Sequence, residues 1–426
     1  MFFGLIAGLA ASASAYEPML VEGRIWEHTE RYGYEPRELY SLEIGEASEK
    51  YGKMYSPVIR LESGDTIAFL REEPGKVFML MGRSGSIIDV YSRDMIGSYT
   101  PDQETPVYDF TKNIGDSICL LNNPWIYDSD TMETLQGKLI LKEKSTETIS
   151  GIERISQKWE PSESGEAQTA IEGIGTLDHL LPFYDPRPLC CDFWTVSYGL
   201  YRVYDKDGTV IYGERFPEKK MLADGREWQY VSADSVITMR IDGTTTVDGK
   251  VYHILRTSDV PDETTLLREN RGRVYRLDSD GETKMYDFSL SIGFFFRSKG
   301  VDADNENTKV SVVIKESGES ANENMDGIVQ KWEIYLHEYT IIQACERLGI
   351  LYGGTLRDGP IAGSGIVLSK VKDADGTILY DKNMGVSAVK TEQTGDGRMY
   401  DLMGREIREP QRGTVYIQDG RKKVQR

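Results

Sequence analysis

Four histidines, four cysteines and a few carboxylates set between aromatic residues are the groups from which this chain of 426 residues could build chemistry. His28, His179, His253 and His337 stand too far apart for the short ligand spacings of a metal site. His337-Glu338 begins as a zinc-protease helix does, but Ile341 occupies the place of the second histidine. Ser84 and Ser364 lie among glycines, and neither has the Gly-x-Ser-x-Gly frame that exposes a nucleophile. Gly173-Ile174-Gly175 is followed by Asp178 where a dinucleotide fingerprint needs a third glycine, so it reads as a tight turn. No cofactor and no metal are expected.

The carboxylates divide into two groups. Asp205-x-Asp207-Gly208 and Asp373-x-Asp375-Gly376 place alternate acids on a turn, as a calcium loop does at its start. Apolar strand residues follow at once where further oxygen ligands are needed, so both read as hairpin turns. Glu172, Glu346, Asp109 and Asp287 sit beside apolar or aromatic neighbours, where a raised pKa would suit a glycosidase acid; Glu172 with Asp178 is one such pair. These acids recur at matching places in two parts of the chain, which favours a supporting role, with the carboxylate accepting N–H bonds from a turn.

One segment stands apart. Phe183, Tyr184, Phe193, Trp194 and Tyr198, with Tyr201 and Tyr204, crowd a stretch that also carries Pro182, Pro186 and Pro188. Flat rings held by prolines suit stacking on a sugar face or filling a protein pocket. The same rings could instead plug the open end of a domain.

The elements that must position these residues emerge from a self-comparison. Gly23-Arg24-Ile25-Trp26 matches Gly225-Arg226-Glu227-Trp228, and Arg71-Glu72-Glu73-Pro74-Gly75-Lys76-Val77 matches Arg268-Glu269-Asn270-Arg271-Gly272-Arg273-Val274. Tyr108-Asp109-Phe110 matches Tyr286-Asp287-Phe288, Gln157-Lys158-Trp159 matches Gln330-Lys331-Trp332, and Asp205-Lys206-Asp207-Gly208 matches Asp373-Ala374-Asp375-Gly376. The matches are collinear, and the spacing between partners shrinks stepwise along the chain. Its largest drop places an insertion in the first copy between residues 82 and 106. The expected organisation is a leader over 1–15, one β domain over 16–218, a second over 219–390 and a small module over 391–426. Short β-branched or alternating runs such as Leu139-Ile140-Leu141 and Val310–Ile314 are punctuated by Asp-Gly turns, and no long stretch keeps a helical period. An all-β fold of two tandem antiparallel meanders, sandwich or barrel, follows.

Composition agrees: 39% hydrophobic and 10% aromatic residues exclude disorder and coiled coil. A net charge of -19 repels phosphate backbones and anionic lipid, so nucleic acid is not an expected partner. The apolar run Phe2–Ala11 ahead of Ala13-Ser14-Ala15 reads as an export signal cleaved after Ala15, although no basic residue precedes it. It is too short to span a bilayer. Cys119, Cys190, Cys191 and Cys345 leave several pairings open, free thiols included.

Two resemblances add to this. The words Tyr400-Asp401-Leu402-Met403-Gly404-Arg405-Glu406, Gly413-Thr414-Val415-Tyr416-Ile417 and Asp419-Gly420-Arg421-Lys422-Lys423-Val424 resemble the end of the C-terminal sorting domain of type IX (Por-type) secretion. That resemblance implies a cell-surface, outer-envelope or secreted location in a Gram-negative cell, with the secretion machinery as a partner. The repeated words Arg-Glu-x-x-Gly-x-Val and Tyr-Asp-Phe-x-x-x-x-Gly-Asp resemble those of a group of uncharacterised exported envelope proteins. The second copy departs where Phe294 stands in place of Asp116. The functional expectation is a non-catalytic binding or structural module for glycan or envelope protein, with an envelope carbohydrate hydrolase as the alternative.

Overall fold

A computed structural model describes residues 16–32, 36–81, 103–119, 138–162, 167–177, 196–233, 235–301, 307–320, 325, 327–335, 339–360, 365–382, 399–400, 406–407, 415–418 and 421–424. Every regular element among them is a strand. The antiparallel sheets curl into half-closed to nearly closed barrels that follow one another along the chain.

In the first barrel, Ile25–Tyr32 lies between Val196–Tyr204 and Glu38–Ile44, and the sheet continues by hairpins to Gln103–Asp109. A second sheet runs from Ser117–Cys119 through Lys138–Ile149 and Ile152–Pro161 to Gly175–Thr176. The Leu200 N–H donates to the Leu177 carbonyl at 2.5 Å and ties the two sheets together. In the second barrel the same course is one continuous sheet, because Glu227–Val231 pairs with Val367–Lys372, which pairs in turn with Gly349–Tyr352.

Period-two alternation decides which side chains face inward. In Glu227–Val231, Trp228 and Tyr230 are buried while Val231 is exposed; in Lys138–Ile149, Leu139 and Leu141 are the buried pair near the start. Trp26, Leu70, Val77 and Trp159 centre one core, and Trp228, Leu267, Val274 and Trp332 centre the other. Register breaks at Glu27/His28, Lys158/Trp159, Gln229/Tyr230 and Ile314/Glu316 mark bulges, which add the local twist a curled sheet requires.

The expected Asp-Gly turns are present. Thr209 and Thr377 N–H groups donate to Asp207 and Asp375, and Gly208 and Gly376 take φ of 93° and 86°, a region open to glycine. Two-residue hairpins at Tyr51-Gly52, Ser150-Gly151, Asp248-Gly249 and Arg271-Gly272 put a non-glycine residue at positive φ. The stretches from 341 to 350 and 170 to 177 are strands and turns. The segment expected to hold the insertion lies between two paired strands. Met81 pairs with Gln103, leaving 82–102 between them outside the described residues, whereas Asp278 pairs with Gly281 across Ser279 and Asp280 alone. Near the C-terminus, Met399–Tyr400, Glu406–Ile407, Val415–Gln418 and Arg421–Val424 form a four-stranded sheet.

Candidate functional site

Of the aromatic candidates, Phe183, Tyr184, Phe193 and Trp194 lie outside the described residues. Tyr198 belongs to the strand Val196–Tyr204, opposite Glu30. Both ends of the segment are nevertheless fixed in the wall of the first barrel, at Leu177 and at Val196. Cys190, Cys191, His179, His337, Ser84, Ser364 and Asp178 are also outside the described residues, and Cys345 is buried in the second core.

The carboxylates proposed as acids have visible partners. Glu172 accepts N–H bonds from Glu17 at 3.4 Å and Ile155 at 3.1 Å; Glu346 accepts them from Lys219 at 2.6 Å and Ile328 at 3.0 Å. Asp109 accepts from the backbone and hydroxyl of Thr111, and Asp287 from those of Ser289. Asp205 and Asp373 receive the guanidinium groups of Arg24 and Arg226 at 2.7 and 2.6 Å, so the charge facing each turn is an arginine. The tryptophans follow suit: Trp26 and Trp228 donate to the carbonyls of Ile174 and Leu348, while Trp159 and Trp332 donate to Gln157 and Gln330. No group of three or more histidine, cysteine, aspartate or glutamate side chains among the described residues could hold a metal ion.

The most charged buried site was not foreseen from the sequence. It is the seam between the barrels. Trp26 points into the first core, so its neighbour Glu27 points out of the barrel, as do Arg202 opposite it and Tyr204 two residues on. In the second barrel the matching outward residues are Gln229 and Lys370. Glu27 and Arg202 have no exposed side-chain surface, because the second barrel covers this face of the first.

Its contributions come from the strands Arg273–Asp278 and Gly281–Asp287 and the turn that follows them. Arg273 donates to Glu27 at 2.5 Å and also faces Asp287 at 3.3 Å. Arg202 donates to the Ser289 carbonyl at 3.0 Å, and the Tyr204 hydroxyl donates to Glu27 at 3.2 Å. Burial raises the Tyr204 phenol, and the Glu27 charge adds to this, so the group stays protonated and donating. Burial alone would raise Asp287, but Lys284 and Arg273 outweigh it and hold the carboxyl at about 2. Burial would lower Arg273 too, yet Glu27 and Asp287 push it well above its ordinary value.

Aromatic residues complete the seam. Phe216, in the connection between the barrels, lies under the guanidinium of Arg202 at 4.1 Å and near that of Arg271 at 5.6 Å, with its ring edge-on to Tyr204. Phe294 packs on Tyr201 at 5.0 Å, while the neighbouring backbone bonds to Arg37: Arg37 N–H to the Gly293 carbonyl and Phe295 N–H to the Arg37 carbonyl. The departure of Phe294 from the repeated word therefore has a structural cause. Asp116 caps its own turn by accepting the Asn113 N–H, whereas Phe294 is buried against the other barrel. The readable signal was this set of mismatches, Glu27 against Gln229, Arg202 against Lys370 and Asp116 against Phe294, rather than the matches.

Chemically the seam is a closed assembly. With no exposed surface at Glu27 or Arg202, a substrate cannot reach them. A shallow depression of about 310 Å³ on the second barrel is lined by Val231, Ser232, Gly365, Val367, Ser369 and Lys382, and presents no carboxylate or imidazole. No protein-family model, no curated protein and no solved structure matches the chain.

Proposed function

We propose that the protein is an exported envelope or secreted component that binds glycan or protein without turning it over, its two barrels serving as one rigid support for the segment from 178 to 195. One observation carries this reading. Glu172 and Glu346, two of the acids that the sequence offers for hydrolysis, each hold two backbone N–H groups together, and do so in the same manner in both barrels. A carboxylate whose two oxygens both accept main-chain N–H groups is held in place by the fold rather than turned to a substrate. The surplus of aromatic residues between Leu177 and Val196, fixed at both ends, is then the part of the chain left to make contacts outside the fold.

Export rests on the apolar leader and the Ala13-Ser14-Ala15 pattern, and delivery to the surface on the resemblance of the C-terminal words to a sorting domain. The barrels bury charge against each other, so binding is best tested on the full chain rather than on separated halves. A screen against glycans and envelope proteins is expected to yield a ligand whose binding is lost in Trp194→Ala with an unchanged melting temperature. Undiminished binding by Trp194→Ala and Phe193→Ala would remove the segment as the determinant, and turnover of any polysaccharide would establish the hydrolase instead.

A further inference from the structure

We propose that copies of this chain join head to tail, the turn from 111 to 117 on the first barrel of one copy seating in the depression on the second barrel of the next. The seam within the chain is the ground for this, because each barrel also carries the counterpart of the surface that the other contributes to it.

The second barrel enters the seam with a turn. There the Gly293 N–H donates to the Ile314 carbonyl and the Ile314 N–H to the Phe294 carbonyl, both at 2.9 Å. The first barrel folds the same turn: the Gly115 N–H donates to the Leu141 carbonyl at 2.8 Å and the Leu141 N–H to the Asp116 carbonyl at 2.9 Å. Docking leaves Ser289 and Phe294 buried, whereas their counterparts Thr111 and Asp116 are exposed. The strand that follows, Ser117–Cys119, is the outer strand of its sheet.

The receiving surface is present twice as well. On the first barrel the Tyr201 hydroxyl donates to the Ser289 carbonyl at 2.9 Å, its ring packs on Phe294, and Glu214 accepts from the Ser291 hydroxyl at 3.0 Å. Leu39 beside them packs against the second core. Strand register puts Ser369, Lys382 and Val236 of the second barrel where the first has Tyr201, Glu214 and Leu39. Ser369 and Lys382 line the depression, and Val236 is 56% exposed. A serine in the place of a tyrosine accounts for the hollow.

The exchanges on the two sides compensate each other. Within the chain Phe294 meets Tyr201; between copies Asp116 meets the Ser369 hydroxyl and the Lys382 ammonium, so an acid faces an amine where ring faced ring. Asp116 accepts the Asn113 N–H through one oxygen at 2.9 Å, which leaves the other for Lys382. The buried Glu27 is replaced by the neutral Gln229, so this contact strands no carboxylate in its interior. Turn and depression lie on different barrels, hence the contact does not close on itself and repeats as an open row. It lacks the covalent connection through Phe216 that tethers the seam, and therefore forms with rising concentration.

The test is the mass of the full chain in solution, followed by sedimentation over about a hundredfold range of concentration at physiological salt. The weight-average mass is expected to climb past that of a dimer without a plateau, as an unclosed contact requires. Lys382→Glu, Asp116→Lys and Val236→Asp should each weaken association by about tenfold or more, with circular dichroism unchanged. An equimolar mixture of Asp116→Lys and Lys382→Glu should associate again, because every contact between unlike chains then pairs an acid with an amine. Association through the apolar run Phe2–Ala11 would not answer to that exchange. If Asp116→Lys fails to fold, Lys382→Glu and Val236→Asp decide. A chain that stays monomeric, one that stops at a dimer, or association that the folded variants do not weaken would overturn the proposal. A monomer whose melting temperature falls with Val236→Asp would overturn it too, and would put the chain's own continuation after Lys382 in the depression.

Discussion

The Glu27 carboxylate and the Arg202 guanidinium approach to 3.4 Å on neighbouring strands of the first barrel, both wholly buried, yet neither closes its shell on the other. Glu27 Oε2 and Arg202 Nη1 lack hydrogen-bond geometry among the described residues, and the strong bonds of both groups go elsewhere, to Arg273 and to the Ser289 carbonyl of the second barrel. The pair is therefore complete only when the second barrel is docked. Such a site contributes less to net stability than to the choice of one docking geometry, since the desolvation of two charges offsets much of their attraction.

Removing one member should be costly for the same reason. Glu27→Gln leaves the buried Arg202 without its charged partner and Arg273 with Asp287 alone, and a loss of about 3–5 kcal/mol is expected by chemical denaturation. Glu27→Leu with Arg202→Met should lose much less than the sum of the single changes. A Glu27→Gln loss below about 0.5 kcal/mol would show that water reaches the seam.

Phe216 holds the connection between the barrels through two guanidinium groups and the edge of Tyr204. Phe216→Ala is expected to cost about 2 kcal/mol, from lost packing and cation–π attraction. It should also expose the chain near Glu214–Pro217 to limited proteolysis. Cleavage at that point no faster than in the parent protein would refute the anchoring role.

The strand content was legible in the sequence because alternation and Asp-Gly turns are local signals. The supporting role of Glu172 and Glu346 was legible too, since both copies keep the acid. The seam was not. Glu27 and Arg202 lie 175 positions apart, and strand alternation marks them only as outward-facing, where charged residues are ordinary. Their burial comes from docking, which leaves no periodic trace. The hairpin at Tyr51 escaped notice for a different reason, because tyrosine gives no turn signal.

That position offers a direct check on turn chemistry. Tyr51 takes φ of 51° and is 63% exposed, so its ring contributes little packing while its backbone occupies a region that asparagine tolerates better. Tyr51→Asn is expected to stabilise the protein by about 0.5 kcal/mol, seen as a higher melting temperature. A lower one would mean that the ring makes contacts worth more than the turn.

Acid should undo the fold in a defined window. Arg71, Lys53 and Tyr55 hold Glu104 at about 2 despite the burial that opposes them. Burial would raise Glu282 and Asp287, but Arg268 with Lys250, and Lys284 with Arg273, bring them to about 2 as well. A carboxyl depressed in the folded state binds fewer protons there than in the unfolded chain, so its contribution is full above the ordinary value near 4 and is lost as pH falls through 2. Glu269 and Glu62 act the other way, since burial raises both and favours their neutral forms in the fold. With three strongly depressed groups against these two, the unfolding midpoint is expected to hold from pH 7 to about 5 and to drop steeply between about 4 and 2. Glu282→Gln should be destabilising at pH 7 and much less so at pH 2, where the parent carboxyl is about half protonated in the fold and little of its charge contribution remains. An equal loss at both pH values would mean that Glu282 acts by shape alone, and that its charge with Arg268 contributes nothing to holding the second barrel.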